Sequence, residues 1–370
     1  MTQDAAREPG KLGFGLMRLP RRFGRTDVKQ VSKMVDLFLE SGFTYFDTAF
    51  VYIGSEEAIG KALVKRHPRE SFTLASKVFA PLAPTKGVAH RQLETTLKRT
   101  GAGYIDYYLL HSLTKGNYQM YDRLGLWDFV QEKKAEGVIR HVGFSFHADP
   151  VLLDQLLTDH PEVEFVQLQL NYADWEDDRI SSRANYEVAR RHGKQIVVME
   201  PVKGGKLANP PKEAAELLRA ANPDASFASW AIRFVAGLDG IHTVLSGMSN
   251  LDQMRDNVSF MRDFQPLSAE ERAVLREVQQ IMHESSIIPC TNCRYCVKGC
   301  PQQIPIPEIF EAMNLRLGDG LIDESRAAYE RAVAGGGRAS ECIRCGQCNN
   351  MCTQGIDVMA RLKEVAEALE

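Results

Sequence analysis

The sequence predicts a (β/α)8 barrel followed by a small, mostly helical domain, and three observations carry that expectation. Between Leu12 and about Phe264, eight short β-type runs alternate with amphipathic helical patterns, as in a closed parallel barrel of roughly 250 residues. No G-x-G-x-x-G follows the first run, which weighs against the alternative architecture, a doubly wound sheet. All eight cysteines lie beyond residue 289 and set the last part of the chain apart. The expected division is a barrel over 1–283 and a second domain over 284–370.

The opening strand falls near residues 13–16, where Gly13-Phe14-Gly15 reads as a tight strand end. The first helix shows Val28, Val31, Val35, Phe38 and Leu39 at helical spacing and stops at Ser41-Gly42. The remaining strands are expected at 43–47, 72–78, 105–110, 139–145, 165–170, 195–200 and 241–245. Past the barrel, Ser268-x-x-Glu271 forms a capping box for a helix reaching about Met282. Ile287-Ile288-Pro289 reads as a linker. One helix then follows Pro307 and stops at Gly318, another spans about 323–334, and a last one starts near Asp357. With few apolar residues, this domain is expected to depend on bound groups to fold.

Net charge is −3 and charged residues, 25% of the chain, are well mixed, so no basic field for nucleic acid exists. No apolar run approaches the roughly 20 residues needed to span a bilayer. Residues 1–10 are polar and lack the apolar core of a leader peptide. The expectation is a cytoplasmic protein with neither nucleic acid nor membrane as partner.

The cysteines form two identical runs, Cys290, Cys293, Cys296, Cys300 and Cys342, Cys345, Cys348, Cys352, each C-x2-C-x2-C-x3-C. This is the spacing of bacterial-type 4Fe–4S ligation, for which soft, anionic thiolates are suited. The alternatives are a disulfide framework, for which nothing suggests export, and two zinc sites, to which the third cysteine of each run is less suited. Two 4Fe–4S clusters are expected.

Barrel enzymes carry their chemistry at the C-terminal ends of the strands. There the second strand ends in Asp47, with Tyr52 five residues on; the third ends in Lys77 and the fourth in His111. Singly, these read as a helix cap, a surface charge and a structural histidine. Together, at successive strand ends, they read as a proton donor with its tuning groups. A phenol ordinarily titrates near about 10. A nearby ammonium lowers that value, a carboxylate keeps the lysine charged, and a histidine can hydrogen-bond a substrate oxygen.

These residues carry a resemblance. Phe46-Asp47-Thr48-Ala49-Phe50-Val51-Tyr52, then Gly54-Ser55-Glu56, Ser76-Lys77 and Leu110-His111, resemble the Asp, Tyr, Lys and His tetrad of the aldo/keto reductases, over about residues 12–264. The whole chain resembles the subgroup with an iron–sulfur tail. The resemblance implies hydride transfer between a nicotinamide cofactor and a small-molecule carbonyl substrate. Tyr52 would protonate the carbonyl oxygen, Lys77 and Asp47 would tune it, and His111 would orient the substrate.

The resemblance also implies cofactor contacts. Ser145 and Gln167 would hold the nicotinamide amide, and Met199 would lie where many members stack an aromatic ring. Pro201, Lys203 and Gly204 belong to the expected pyrophosphate loop, with Lys206 just beyond it. Gly247, Met248, Gln253, Asp256 and Asn257 would surround the adenosine end. Members that prefer NADPH usually pair the 2′-phosphate with Lys and Arg where this chain has Gly247 and Gln253, so the expectation for NAD(P)H leans toward NADH.

The cysteine runs resemble two-cluster ferredoxins, which implies that the fourth cysteine of each run serves the other cluster. Cys290, Cys293 and Cys296 would join Cys352; Cys342, Cys345 and Cys348 would join Cys300. Three roles stay open: clusters that link a carbonyl reductase to an external electron carrier, clusters that only hold the tail together, and an electron-transfer or redox-sensing module on a non-catalytic barrel. The substrate pocket is expected from loops 112–120 and 172–178, with Trp175 as wall or packing residue. Arg18, Arg21 and Arg22 hint at an anionic substrate or a solvated cluster.

Overall fold

The computed structural model describes residues 10–284 and 287–370; the N-terminal stretch 1–9, part of the segment read for a leader peptide, lies outside them. Eight parallel strands close into a barrel. They are β1 (Leu12–Gly15), β2 (Tyr45–Asp47), β3 (Thr73–Val78), β4 (Ile105–Leu113), β5 (Ile139–Phe146), β6 (Phe165–Gln169), β7 (Gln195–Met199) and β8 (Ile241–Ser246). Each pairs with its sequence neighbour, and the ring closes where Phe14 of β1 lies between Phe46 of β2 and Ser246 of β8. The expected strands and these agree within a few residues. The largest extension is in β4, which continues past His111 to Leu113, with Ser112 at φ 59° and a register shift against β5.

Side-chain alternation divides the barrel's core in two. Tyr45, Ala75, Leu109, Phe165, Val197 and Leu245 fill the inside. The opposite faces pack on the helices, as Val31, Val35 and Phe38 of helix Val28–Glu40 do against Phe14 and Phe46. Gly143 admits the Phe165 ring: a Cβ there would lie 2.5 Å from the Phe165 carbonyl oxygen. A two-strand hairpin, Arg21–Arg22 with Arg25–Thr26, follows β1 and was not expected. The capping box is present, with Glu271 N donating to Ser268 Oγ at 3.1 Å and Ser268 N to Glu271 Oε2 at 2.9 Å.

Helices Ile306–Asp319, Ile322–Val333 and Val358–Leu369 build a second core around Ile309, Phe310, Tyr329, Leu362 and Val365. The linker reading of 287–289 needs correction. Ile288 is buried in that core, and Asn314 bonds both its backbone groups, accepting from the N–H at 2.7 Å and donating to the carbonyl at 2.9 Å. Lys206 Nζ donates to the same carbonyl at 2.7 Å.

The second core sits on the mouth of the barrel where the strands end. Gln169, at the end of β6, and Gln354 exchange amide hydrogen bonds of 3.0 Å in both directions. Gly204 lies so close to Thr291 that a Cβ would come within 2.7 Å of the threonine Cβ. Among the described residues, no helix is long and apolar enough to cross a membrane.

Candidate active site

The ends of β2, β3 and β4 bring the expected tetrad together. Lys77 Nζ donates to both Asp47 carboxylate oxygens and to the Thr48 carbonyl, each at 2.7 Å, and is wholly buried. All three ammonium hydrogens are thereby used. Burial pushes Lys77 down and Asp47 up, each toward neutrality, while their mutual attraction opposes this. Glu56 braces the same strand ends. Fully buried, it accepts from Ser76 Oγ at 2.9 Å, Thr96 Oγ1 at 2.7 Å and Arg99 Nη1 at 3.0 Å.

Lys77 Nζ stands 5.1 Å from the Tyr52 ring centroid, and the Tyr52 ring meets His111 edge-on at 5.7 Å. Burial holds the Tyr52 hydroxyl well above the usual phenol range, and Tyr295 and Asp47 raise it further. The net direction is thus upward, against the lowering expected from Lys77, whose hydrogens go to Asp47 and Thr48. Burial, then the Lys77 charge, pushes His111 well below the usual imidazole range. The Tyr121 hydroxyl donates to the His111 carbonyl.

Asp47, Tyr52 and His111 line a cavity of about 340 Å³. Gln167, Met199, Pro201 and Gly204 line it too, as do Gly247, Met248, Gln253 and Asn257. Gln167 Nε2 lies 3.6 Å from Met199 Sδ, while its buried Oε1 has no partner, an acceptor ready for an amide N–H. Ser145 is buried behind the cavity wall, accepting from Ser112 N at 2.6 Å. Asn257 Oδ1 accepts from Ser246 Oγ at 2.7 Å, and Gln253 Oε1 from Ser249 N at 2.7 Å.

Three expected cofactor residues do not line the cavity: Ser145, described above, and Lys203 and Asp256. Lys203 turns away and pairs with the buried carboxylate of Asp174, which also accepts from Gln169 and Asn171. Asp256 accepts from Ser226 Oγ at 2.8 Å. Trp175 packs on Tyr186 and Phe234, and Arg21 and Arg22 ride on the exposed hairpin. Only Arg18 of the three arginines reaches the cavity. It donates to the Thr291 carbonyl at 2.6 Å, lies 3.8 Å from Glu200, and runs its side chain past Gly247.

Several cavity residues were not foreseen, among them five with polar or thiol side chains. Glu200 and His147 follow barrel strands; burial pushes His147 down to about 4. Cys293, Tyr295 and Thr353 come from the second domain. The Tyr295 hydroxyl lies 3.3 Å from His111 Nε2 and adds to the upward push on Tyr52. Nothing in the barrel's own pattern points to an aromatic between two cysteines more than 180 positions beyond His111.

The cysteines stand in two groups that cross the runs. Cys352 lies with Cys290, Cys293 and Cys296. Cys300 lies with Cys342, Cys345 and Cys348 around a separate cavity. Soft thiol donors, four and four, fit the clusters that the spacing implies.

Comparison with known proteins agrees with both halves. The aldo/keto reductase family model matches residues 11–280, and a 4Fe-4S dicluster domain model matches residues 289–356. Rhazimal reductase 2 of Alstonia scholaris is 29% identical over 139 residues, 32% of this chain and 42% of that one. An aldo-keto reductase of Mycobacterium sp. is likewise matched over only 44% of its length. The holo form of an aldo-keto reductase from Bacillus halodurans aligns with 27% identity and a TM-score of 0.58, over 74% of this chain and 95% of that one. An aldo-keto reductase from Klebsiella pneumoniae in complex with NADPH shares the fold at 23% identity and a TM-score of 0.60, over 73% and 90%. With Asp47, Tyr52 and His111 on its cavity, Lys77 buried against Asp47, and a family match across the whole barrel, the chain belongs to the aldo/keto reductase family, and it carries a 4Fe-4S dicluster domain on the mouth of that barrel.

Proposed function

We propose that this protein interconverts a carbonyl compound and an alcohol by hydride transfer with NAD(P)H, and that its two clusters have a redox role beside that site. The observation that carries the first part is the meeting of Tyr52 and His111 on a cavity that Gln167 and Met199 also line. The nicotinamide cofactor supplies the hydride. Gln167 would hold its amide, with Ser145 behind it, Met199 would pack on its ring, Pro201 and Gly204 would back its phosphates, and Gly247, Met248, Gln253 and Asn257 would take the adenosine end.

Tyr52 keeps a proton at its hydroxyl and gives it to the carbonyl oxygen as negative charge develops there, help worth roughly 100- to 10,000-fold. His111, neutral, fixes the direction of that oxygen. The buried Lys77–Asp47 pair locks the floor beneath Tyr52. The Klebsiella relative binds NADPH; the lack of a lysine or arginine at Gly247 and Gln253 still supports a lean toward NADH.

Cys290, Cys293, Cys296 and Cys352 would hold one 4Fe–4S cluster, and Cys342, Cys345, Cys348 and Cys300 the other. A redox role is favoured over a purely structural one because Cys293 lines the same cavity as Tyr52; a hydride carries two electrons and each cluster takes one, so both clusters would be needed for one equivalent. An external one-electron carrier is then the natural partner at the cluster of Cys342, Cys345, Cys348 and Cys300, where Cys345 is exposed. The test is anaerobic turnover with benzaldehyde. The parent should oxidise NADH or NADPH, and Tyr52→Phe should lose at least about 100-fold in kcat while its cofactor affinity stays within threefold. Activity of Tyr52→Phe within threefold of the parent would place the donor elsewhere.

A further inference from the structure

One group beside Tyr52 and His111 in the cavity belongs to the other domain. The Tyr295 hydroxyl is 3.3 Å from His111 Nε2 and lies close enough to Tyr52 to raise that phenol further. Its ring stacks on Phe79 at 6.4 Å and 20° and meets His111 edge-on at 6.1 Å. An oxygen on the His111 imidazole and beside the Tyr52 phenol, in the cavity that all three residues line, stands where a substrate's carbonyl oxygen must stand, if those two groups are to protonate and orient it. Two oxygens cannot share that place.

Binding a cluster does not require this arrangement, because the two cysteine runs repeat one backbone. Asn292 and Arg344 have φ of 54° and 56°, Arg294 and Gly346 have φ of 65° and 78°, and a short helix follows each, Tyr295–Lys298 and Gln347–Met351. The residue matching Tyr295 is Gln347, which faces the cavity around Cys300, Cys342, Cys345 and Cys348. Only the first run sends an aromatic hydroxyl into the barrel. It does so from Arg294, held in a left-handed conformation that the second run gives to glycine, and anchored by Glu308.

We propose that Tyr295 holds the seat of the substrate oxygen, so that a carbonyl compound binds only by displacing it. The loop between Cys293 and Cys296 thereby sets which carbonyl compounds the barrel accepts. This rests on the reading of Tyr52 and His111 as the groups that grip that oxygen. A small aldehyde offers one oxygen for the two hydrogen bonds and little more, so it competes poorly. A carbonyl compound with further polar groups gains extra contacts along the cavity.

The test uses anaerobically purified holoprotein, with iron content measured for every variant. Benzoate presents an oxygen of similar size to the same two groups, and it is titrated by calorimetry with NADP+ present. Tyr295→Ala should bind benzoate at least about tenfold more tightly than the parent, and Tyr295→Phe about two- to tenfold, the worth of a released hydrogen bond. The KM for benzaldehyde should fall in the same order, by more than kcat changes. Unchanged or weaker benzoate binding in both variants, with iron intact, overturns the proposal. So does a loss in kcat above tenfold in Tyr295→Phe without a gain in benzoate affinity, since Tyr295 would then be assisting a bound substrate. If Tyr295→Ala loses iron, Tyr295→Phe decides alone. Failure of the hydride-transfer reading looks different: no variant oxidises NADH or NADPH with benzaldehyde, while the benzoate titration still reports on the seat.

Discussion

Gln169 and Gln354 bind each other through both ends of their side-chain amides, with two hydrogen bonds of 3.0 Å across the seam between barrel and dicluster domain. Both residues are buried. Gln169 also donates to Asp174, the partner of Lys203, so the seam is wired to the loop that follows β7. Gln354→Ala would leave the Gln169 oxygen without its donor, at a cost of about 1–3 kcal/mol. The dicluster domain should then open about five- to 150-fold more often. Amide hydrogen exchange around 353–356 and 287–291 reads this directly, and unchanged protection would show that the pair does not hold the seam.

The tetrad should be indifferent to pH across the neutral range. A donor phenol must be protonated to work, and burial raises Tyr52 above its ordinary value near about 10, so deprotonation cuts activity only on the far alkaline side. His111 is pushed below its ordinary value near about 6.5, so its protonation comes on the acid side. The kcat/KM for carbonyl reduction should be flat between about pH 6.5 and 9. An alkaline limb below about pH 9 that moves in Lys77→Met would restore the ammonium as the group that lowers Tyr52.

Removing single thiols should separate ligation by group from ligation by run. Cys352 belongs to the second run but stands with Cys290, Cys293 and Cys296. Cys352→Ala should lower iron from about eight to about four per chain. Its paramagnetic resonance spectrum after dithionite should match that of Cys293→Ala. A spectrum matching Cys345→Ala instead would mean that each run ligates its own cluster.

Cofactor choice turns on a single cation. With Lys203 bound to Asp174 and Lys206 donating to Ile288, the cation along the predicted adenosine end is Arg18, beside Gly247. Its guanidinium already donates to Thr291. A charge-assisted bond to a 2′-phosphate would contribute about 1.5–3 kcal/mol. NADPH should therefore hold less than a tenfold advantage in kcat/KM, and NADH should serve as well or better. A larger NADPH preference that vanishes in Arg18→Ala would show that this arginine turns to the phosphate.

The barrel was legible because its information is local and periodic. Runs such as 105–110 and 195–200 alternate with helices whose apolar stripes announce a buried face, and Asp47, Lys77 and His111 sit at strand ends where position alone gives them meaning. What sequence could not show is where a side chain goes once it meets residues distant in the chain. Lys203 looks like a phosphate ligand until Asp174 claims it. Ile288 looks like a linker residue until Asn314 bonds both its backbone groups. Tyr295 looks like filler between cysteines until the two domains pack and place it on His111. Each of these depends on a contact between segments that share no period, so no pattern in either segment carries it.

The placement of the two thiol groups also ranks them by exposure to air. Cys293 faces an inner cavity roofed by the domain itself, whereas Cys345 is exposed and its neighbour Ile343 is 58% exposed. Dissolved oxygen or peroxide reaches the outer thiols first. Oxidative damage should therefore proceed in sequence, bleaching the outer cluster while the inner one, shielded by the barrel, survives longer, so that a partly aged sample holds one kind of half-loaded molecule and not a random mixture.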